Sequence, residues 1–298
     1  MITSNVTHRR FAPRSLKNAS GGGDGPAMLT IVSGKGGVGK SVVAHNLAIA
    51  TGRSGVRTLL VDLDWQFGNL HVLANAVVNY DLKQAVGSGG LNADSLTTIA
   101  ERVSLLASAS VDGLSPWPGP DELQALFISL AQRLPMFDLI IVDTPPGAND
   151  QLAAVAEVSD EMMLIVNPEL SAISAAYAQY KWLFQKLPEL TGSFLVNRVS
   201  GADEAQEIGK NFVALTARFL DRRPRPLGYL VEDRALTRAV ARQRSVFGVT
   251  PMPVIARQVS TLAGLVLERV FRNRTGAQRG VIGAQSLNLI QQTDDSRE

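Results

Sequence analysis

Apolar positions along this chain follow two rhythms. Short, nearly unbroken apolar runs at 28–32, 57–62, 103–107, 137–143, 162–166, 193–197 and 227–230 alternate with longer stretches in which apolar residues return every three or four positions. The short runs read as strands buried on both faces. The longer stretches, at 42–51, 120–134, 172–187, 203–220, 234–243 and 253–271, have the period of helices with one buried face. In 120–134 the stripe is Leu123, Leu126, Phe127, Leu130 and Leu134, opened by Pro120-Asp121-Glu122. Asp81 is placed to cap a further short helix over 82–86, which Gly87 stops. Strands alternating with helices throughout predict the α/β class, as a single doubly wound, mostly parallel β-sheet flanked by helices.

The alternation runs from 28 to 271 without an internal repeat or a long linker, so these residues are expected to form one domain. Residues 1–27 are polar, with His8, Arg9, Arg10, Arg14 and Lys17 ahead of a glycine-rich stretch from Gly21 to Pro26. That composition predicts a flexible basic arm, and it lacks the long apolar run of a signal peptide. Residues 272–298 are expected to form a flexible tail, and the apolar residues of 281–290 spread around a helical wheel instead of making a lipid-binding face. The chain has no cysteine, which excludes disulfides, thiolate zinc sites and cysteine-held iron–sulfur clusters. No stretch has the ~20 apolar residues of a membrane span, and the composition fits a cytoplasmic protein. The net charge is only +2, so any attraction to DNA or lipid falls to local clusters. Arg222, Arg223 and Arg225 form one, and Arg234, Arg238 and Arg242 form a stripe on one helix face.

The chemistry enters just after the first apolar run. Ser33-Gly34-Lys35-Gly36-Gly37-Val38-Gly39-Lys40-Ser41 lies between a predicted strand and a predicted helix and carries every fixed position of G-x-x-x-x-G-K-[ST]. Such a loop turns backbone N–H groups from Gly34 to Gly39 toward a phosphate chain, at a helix N-terminus that adds partial positive charge. Lys40 would reach the β- and γ-phosphates, and the Ser41 hydroxyl would ligate Mg²⁺. A second strand ends in Asp143, followed by Thr144-Pro145-Pro146-Gly147; a carboxylate on a rigid strand tip is what a Walker B position needs to hold the water shell of Mg²⁺. A third strand ends in Asp62-Leu63-Asp64, at the sheet edge where ligands bind in open α/β folds.

The loop carries an additional lysine, Lys35. The pattern Lys35-Gly36-Gly37-Val38-Gly39-Lys40-Ser41, with Val61 to Asp64 and Asp138 to Gly147, resembles the deviant Walker A motif and partner motifs of the ParA/MinD family of nucleotide-switch ATPases. The resemblance covers about 28–271. It implies a slow Mg²⁺-dependent ATPase that dimerises with ATP bound. It also implies that Lys35 reaches the phosphates of the other subunit, as positive charge placed where negative charge grows. Asp64 matches the position that orients the attacking water. Asp62 matches one near the Mg²⁺ hydration shell. Asn197 and Arg198 sit at a strand end that matches the adenine-contacting position, and Ser200 stands where a guanine-reading motif would place an acid. The segment 167–177, with 227–233 and 239–244, is similar to the flagellar regulators FlhG and FleN. This implies regulation of flagellar number or placement, through a protein regulator or assembly partner and a peripheral position at the inner membrane. Two other readings remain: a DNA-segregation ATPase that binds DNA non-specifically, and, from 62–68, a pilus-localisation ATPase of the CpaE/TadZ type.

Overall fold

The computed structural model describes residues 25–82, 84, 96–108, 118–133, 136–190 and 192–275. The expected arm up to residue 24, the tail from 276, Leu134, the loop over 109–117 and most of the helix expected over 82–86 lie outside the described residues. Of that helix, Leu82 and Gln84 are described, with its cap Asp81. The backbone N–H groups of Asp81 and Gln84 each donate to the other's side-chain oxygen at 2.9 Å, a reciprocal cap.

In chain order the elements are β1 (Ala27–Val32), α1 (Lys40–Arg53), β2 (Thr58–Asp62), α2 (Leu70–Leu73), β3 (Thr97–Ala100), β4 (Val103–Leu106), α3 (Pro120–Arg133) and β5 (Leu139–Asp143). They continue with α4 (Asp150–Glu157), β6 (Glu161–Val166), α5 (Leu170–Lys186), β7 (Gly192–Val199), α6 (Ala202–Leu220), β8 (Arg225–Val231), α7 (Arg234–Ala241) and α8 (Val254–Thr275). The strands form one eight-stranded sheet in the order β3-β4-β2-β5-β1-β6-β7-β8. All pairs are parallel except β3 with β4, which is antiparallel and irregular between Thr98 and Ala100. β3, α2 and α4 do not follow from the apolar rhythm of the chain. β3 is short and only half-buried, so it lacks the continuous apolar run that marks the central strands.

Successive side chains of the central strands enter opposite layers. Leu29 and Ile31 of β1 and Ile141 of β5 pack with α1 and α8 on one face. Met28, Leu59, Val61, Ile140 and Val142 meet Leu123, Phe127 and Leu130 of α3 on the other face. Farther along that face, Leu164, Phe194 and Val196 meet Tyr180 of α5 and Phe212 of α6. Burial on both faces explains why these strands read as unbroken apolar runs. β5 is inserted between β2 and β1, so the carboxyl ends of the strands carrying Asp62 and Asp143 lie side by side next to the loop that follows β1.

Candidate functional site

β1 delivers the chain into the loop from Ser33 to Gly39, and α1 begins at Lys40. Gly39 is the N-cap, at φ 90°, and a Cβ there would stand 2.8 Å from the side-chain nitrogen of Asn197. Gly36 and Gly37 are exposed at the crest, Val38 is buried beneath them, and Ser41 lies half-buried in the first helical turn. The loop is held from below by two asparagines. Asn197 Nδ2 donates to the Val38 carbonyl at 2.8 Å. Asn167, oriented with its amide nitrogen toward two carbonyls, donates to Val38 and Asn197 oxygens at 3.2 Å. On its outer side, Gly34 presses on α5: a Cβ there would lie 2.0 Å from the Ala175 carbonyl oxygen.

Lys40 and Asp143 meet inside this loop. Lys40 Nζ donates to Asp143 Oδ1 at 3.0 Å, with both side chains buried. Asp143 faces Asp62 in the β2–β5 register and Ile31 in the β1–β5 register. Burial pushes the Asp143 carboxyl up, against Lys40 and Ser41, which pull it down. Burial, with Asp143 alongside, pushes Asp62 up to about 8. Asp62 is fixed at both oxygens, accepting from Asp64 N at 3.1 Å and Leu70 N at 3.0 Å. Asp64 is less buried and accepts from Phe67 N at 3.1 Å, which closes a tight turn.

Lys35 is elsewhere. Its Nζ donates to Glu169 Oε2 at 2.8 Å and to Ser171 Oγ at 2.9 Å, at the exposed start of α5. Lys35 in turn holds the Glu169 carboxyl below its usual range. Arg198, at φ 62°, turns to Glu232 at 2.9 Å, beside the buried Asn197. The structure thus gathers Lys40, Ser41, Asp62 and Asp143 at one point, with Asp64 two residues from Asp62. Lys35 stands outside the cradle, and Asn197 and Arg198 stand at the tip of β7.

The sequence marks Thr144-Pro145-Pro146-Gly147 after Asp143, but it does not show the contacts these residues make. Thr144 Oγ1 donates to the Ile31 carbonyl at 2.8 Å, and Gly147 N donates to the Ser33 carbonyl at 2.9 Å, so the segment after β5 is tied to the loop after β1. Gly68 leaves no room for a side chain: a Cβ would meet the Ser108 carbonyl oxygen at 2.4 Å and Asp62 Oδ2 at 2.9 Å. Asn167 and Glu169 were visible only as part of a similar segment, without a role.

Two buried carboxylates, both raised by burial, with one lysine between the strand tips and a phosphate-type loop, suit a divalent cation carried in by a phosphate chain. Among the described residues no group of three or more His, Cys, Asp or Glu side chains is placed to hold a metal.

The comparisons agree with this geometry. Residues 29–246 match the CobQ/CobB/MinD/ParA nucleotide binding domain. The chain belongs to this family. It is 28% identical over 228 residues to the antiactivator FleN of Pseudomonas aeruginosa, covering 75% of this chain and 80% of that protein. It is 26% identical over 260 residues to the flagellum site-determining protein YlxH of Helicobacter pylori, covering 84% and 83%. Among solved structures, the cell division ATPase MinD of Pyrococcus furiosus superposes with a TM-score of 0.67 at 24% identity, over 81% of this chain and 98% of that one. MinD of Pyrococcus horikoshii, solved with Mg-ADP, gives 0.68 at 23% identity, over 81% and 96%. These structures share the fold.

Proposed function

We propose that the chain is an ATP-dependent dimerising switch of the MinD/ParA type that sets the number or placement of flagella. The observation that carries the switch reading is Lys35. It lies in the phosphate loop, yet it is held outside the cradle by Glu169 and Ser171 while Lys40 occupies the interior. A lysine so placed is available to a second subunit. Leu170, beside Glu169, is 85% exposed, and Phe67, whose amide Asp64 holds, is 77% exposed. Leu170 follows the Glu169 that holds Lys35, and Phe67 closes the turn that holds Asp64, so both lie beside residues that a second copy would cover.

In this reading Lys40 and the loop amides of Gly34 to Gly39 bind the phosphates of ATP. Ser41 would hold Mg²⁺ directly, and Asp62 and Asp143 would hold it through water. Mg²⁺ supplies charge neutralisation at the phosphates. Asp64 orients the attacking water, and Lys35 of the second subunit stabilises the charge that develops. Asn197 and Arg198 flank the adenine. Hydrolysis is slow because the site is incomplete in one subunit. The output is binding of a protein regulator or assembly partner by the ATP dimer, in the cytoplasm or at the inner membrane surface. Similarity to FleN and YlxH supports the flagellar assignment. Among the described residues no helix is long and apolar enough to cross a membrane.

A test is the Asp64→Ala protein with ATP and Mg²⁺ on size-exclusion chromatography. A stable dimer is expected, and a monomer at saturating nucleotide would count against the switch. Deletion of the gene should change flagellar number or position, and unchanged flagellation would remove that assignment. The exposed Arg234, Arg238 and Arg242 favour a second reading, non-specific DNA binding. It requires ATP-dependent, salt-sensitive retention of unrelated duplexes.

A further inference from the structure

A concavity lies apart from the phosphate loop. A groove of about 1060 Å³ runs along the edge of the sheet between α6 and β8. It exists because small residues face each other across it. On α6 the floor is made by Ala202, Ala205 and Gly209, ahead of Val213. A Cβ on Gly209 would touch nothing nearer than the Phe194 ring, at 3.8 Å. On β8, Gly228 at φ 111° has nothing within 4 Å of a Cβ, and Tyr229 and Pro226 form the apolar wall.

The rim is charged in an ordered way. Arg223 and Arg225 stand at the start of β8, and Lys210 stands midway along α6. Asp203 stands at the opposite end, near the N-terminus of α6. The lining stretch of α6, residues 202–214, is about 18 Å long at a rise of about 1.5 Å per residue, the length of a three-turn helix. β8 is the outermost strand, but its edge is blunted against strand addition. Pro226 has no N–H, the register shifts twice along the β7–β8 pair, and the Val231 N–H is taken by Gln258 Oε1 at 3.2 Å. The groove therefore suits a helix.

We propose that the groove between α6 and β8 docks an amphipathic helix of a partner protein, apolar on one face and acidic in its first turn. The acidic turn meets Arg223 and Arg225. The helix then runs alongside β8 toward Asp203, and the acids of its first turn suit its own N-terminal partial positive charge. Apolar residues at i, i+3, i+4 and i+7 fill the space left by Gly209 and Gly228. The proposal rests on the reading of the chain as a switch that binds a protein regulator, and it names the surface and the chemistry of that contact.

The test is selection of a random 12-residue phage-display library on the immobilised full chain, followed by affinity measurement with one synthetic enriched peptide. Enriched sequences should combine acidic residues near the N-terminus with apolar residues at helical spacing. Their affinity should fall at least tenfold on Gly209→Leu, which fills the groove, and on Lys210→Glu with Arg225→Glu, and it should weaken with salt. ATP binding and ATP-dependent dimerisation of the same variants are measured in parallel. If these persist while no peptide is enriched, or peptides bind the variants equally, the groove proposal is overturned and the switch reading stands. If dimerisation is absent from the parent chain too, the switch reading fails independently of the groove. A change in the nucleotide-free oligomeric state of Gly209→Leu would make a second copy the occupant, against the proposal. Loss of binding to vesicles rich in anionic lipid in the charge-reversed variant would assign the groove to membrane, also against it.

Discussion

Gly34 has no room for a methyl group. Its missing Cβ would overlap the backbone of Ala175, which belongs to a packed helix and cannot step aside as a flexible side chain can. Gly34→Ala should therefore destabilise the protein by about 1–3 kcal/mol, the range for overpacking, and weaken nucleotide binding; urea denaturation and nucleotide titration would measure both. His45 makes a different demand. It is buried in α1, and burial lowers its pKa from 6.5 to about 4. Between those values the unfolded chain binds a proton that the folded chain does not. The stability linked to neutral His45 is thus complete above pH 6.5 and is lost as pH falls through about 4. The urea midpoint of the parent should fall more steeply from pH 7 to 4.5 than that of His45→Gln. Equal slopes would contradict the buried, neutral imidazole.

At the scale of elements, α4 shows what local chemistry contributes beyond periodicity. Asn149 is its N-cap: the side-chain oxygen accepts from Leu152 N at 2.7 Å, and Asp150 opens the first turn. Eight residues are too few for a strong helical period, so the sequence reading passed over this helix, although its cap is written in the chain. Asn149→Ala should cost about 1 kcal/mol, read as a shift in the denaturation midpoint without loss of the fold. The longer elements were legible for the opposite reason. α3 presents Leu123, Leu126, Phe127 and Leu130 to the core as the spacing predicts, and the central strands lie within a few residues of their apolar runs. α8 extends to Thr275, past the expected domain end at 271, because helical residues continue without a stop signal there.

At the scale of the whole molecule, Lys35 links two parts of the chain that are 134 residues apart. The pair with Glu169 is exposed, so it contributes little to folding. Lys35→Ala should therefore leave the denaturation midpoint and nucleotide binding near those of the parent while abolishing the ATP-dependent dimer and its turnover. Sedimentation and phosphate release would measure these, and parental hydrolysis in this variant would refute a role for Lys35 across subunits. The groove beside α6 includes no residue of the phosphate loop and neither Asp62 nor Asp143, so a partner can be engaged there without touching the chemistry.

The α/β class, the phosphate loop, Asp62 and Asp143 at strand ends and Asp64 just beyond one are legible in the chain read alone. These follow from rules acting over a few residues: glycine conformational freedom, apolar periodicity, and the position of a carboxylate at the end of a strand. The pairing of Lys40 with Asp143, the clasp of Asn167 and Asn197 on the Val38 carbonyl, the contact of Lys35 with Glu169 and the groove opened by glycines on α6 and β8 emerge from the folded arrangement. Each of these joins residues distant in sequence through the order in which strands enter the sheet. Strand order is set by the packing of all the layers together, and no local pattern encodes it.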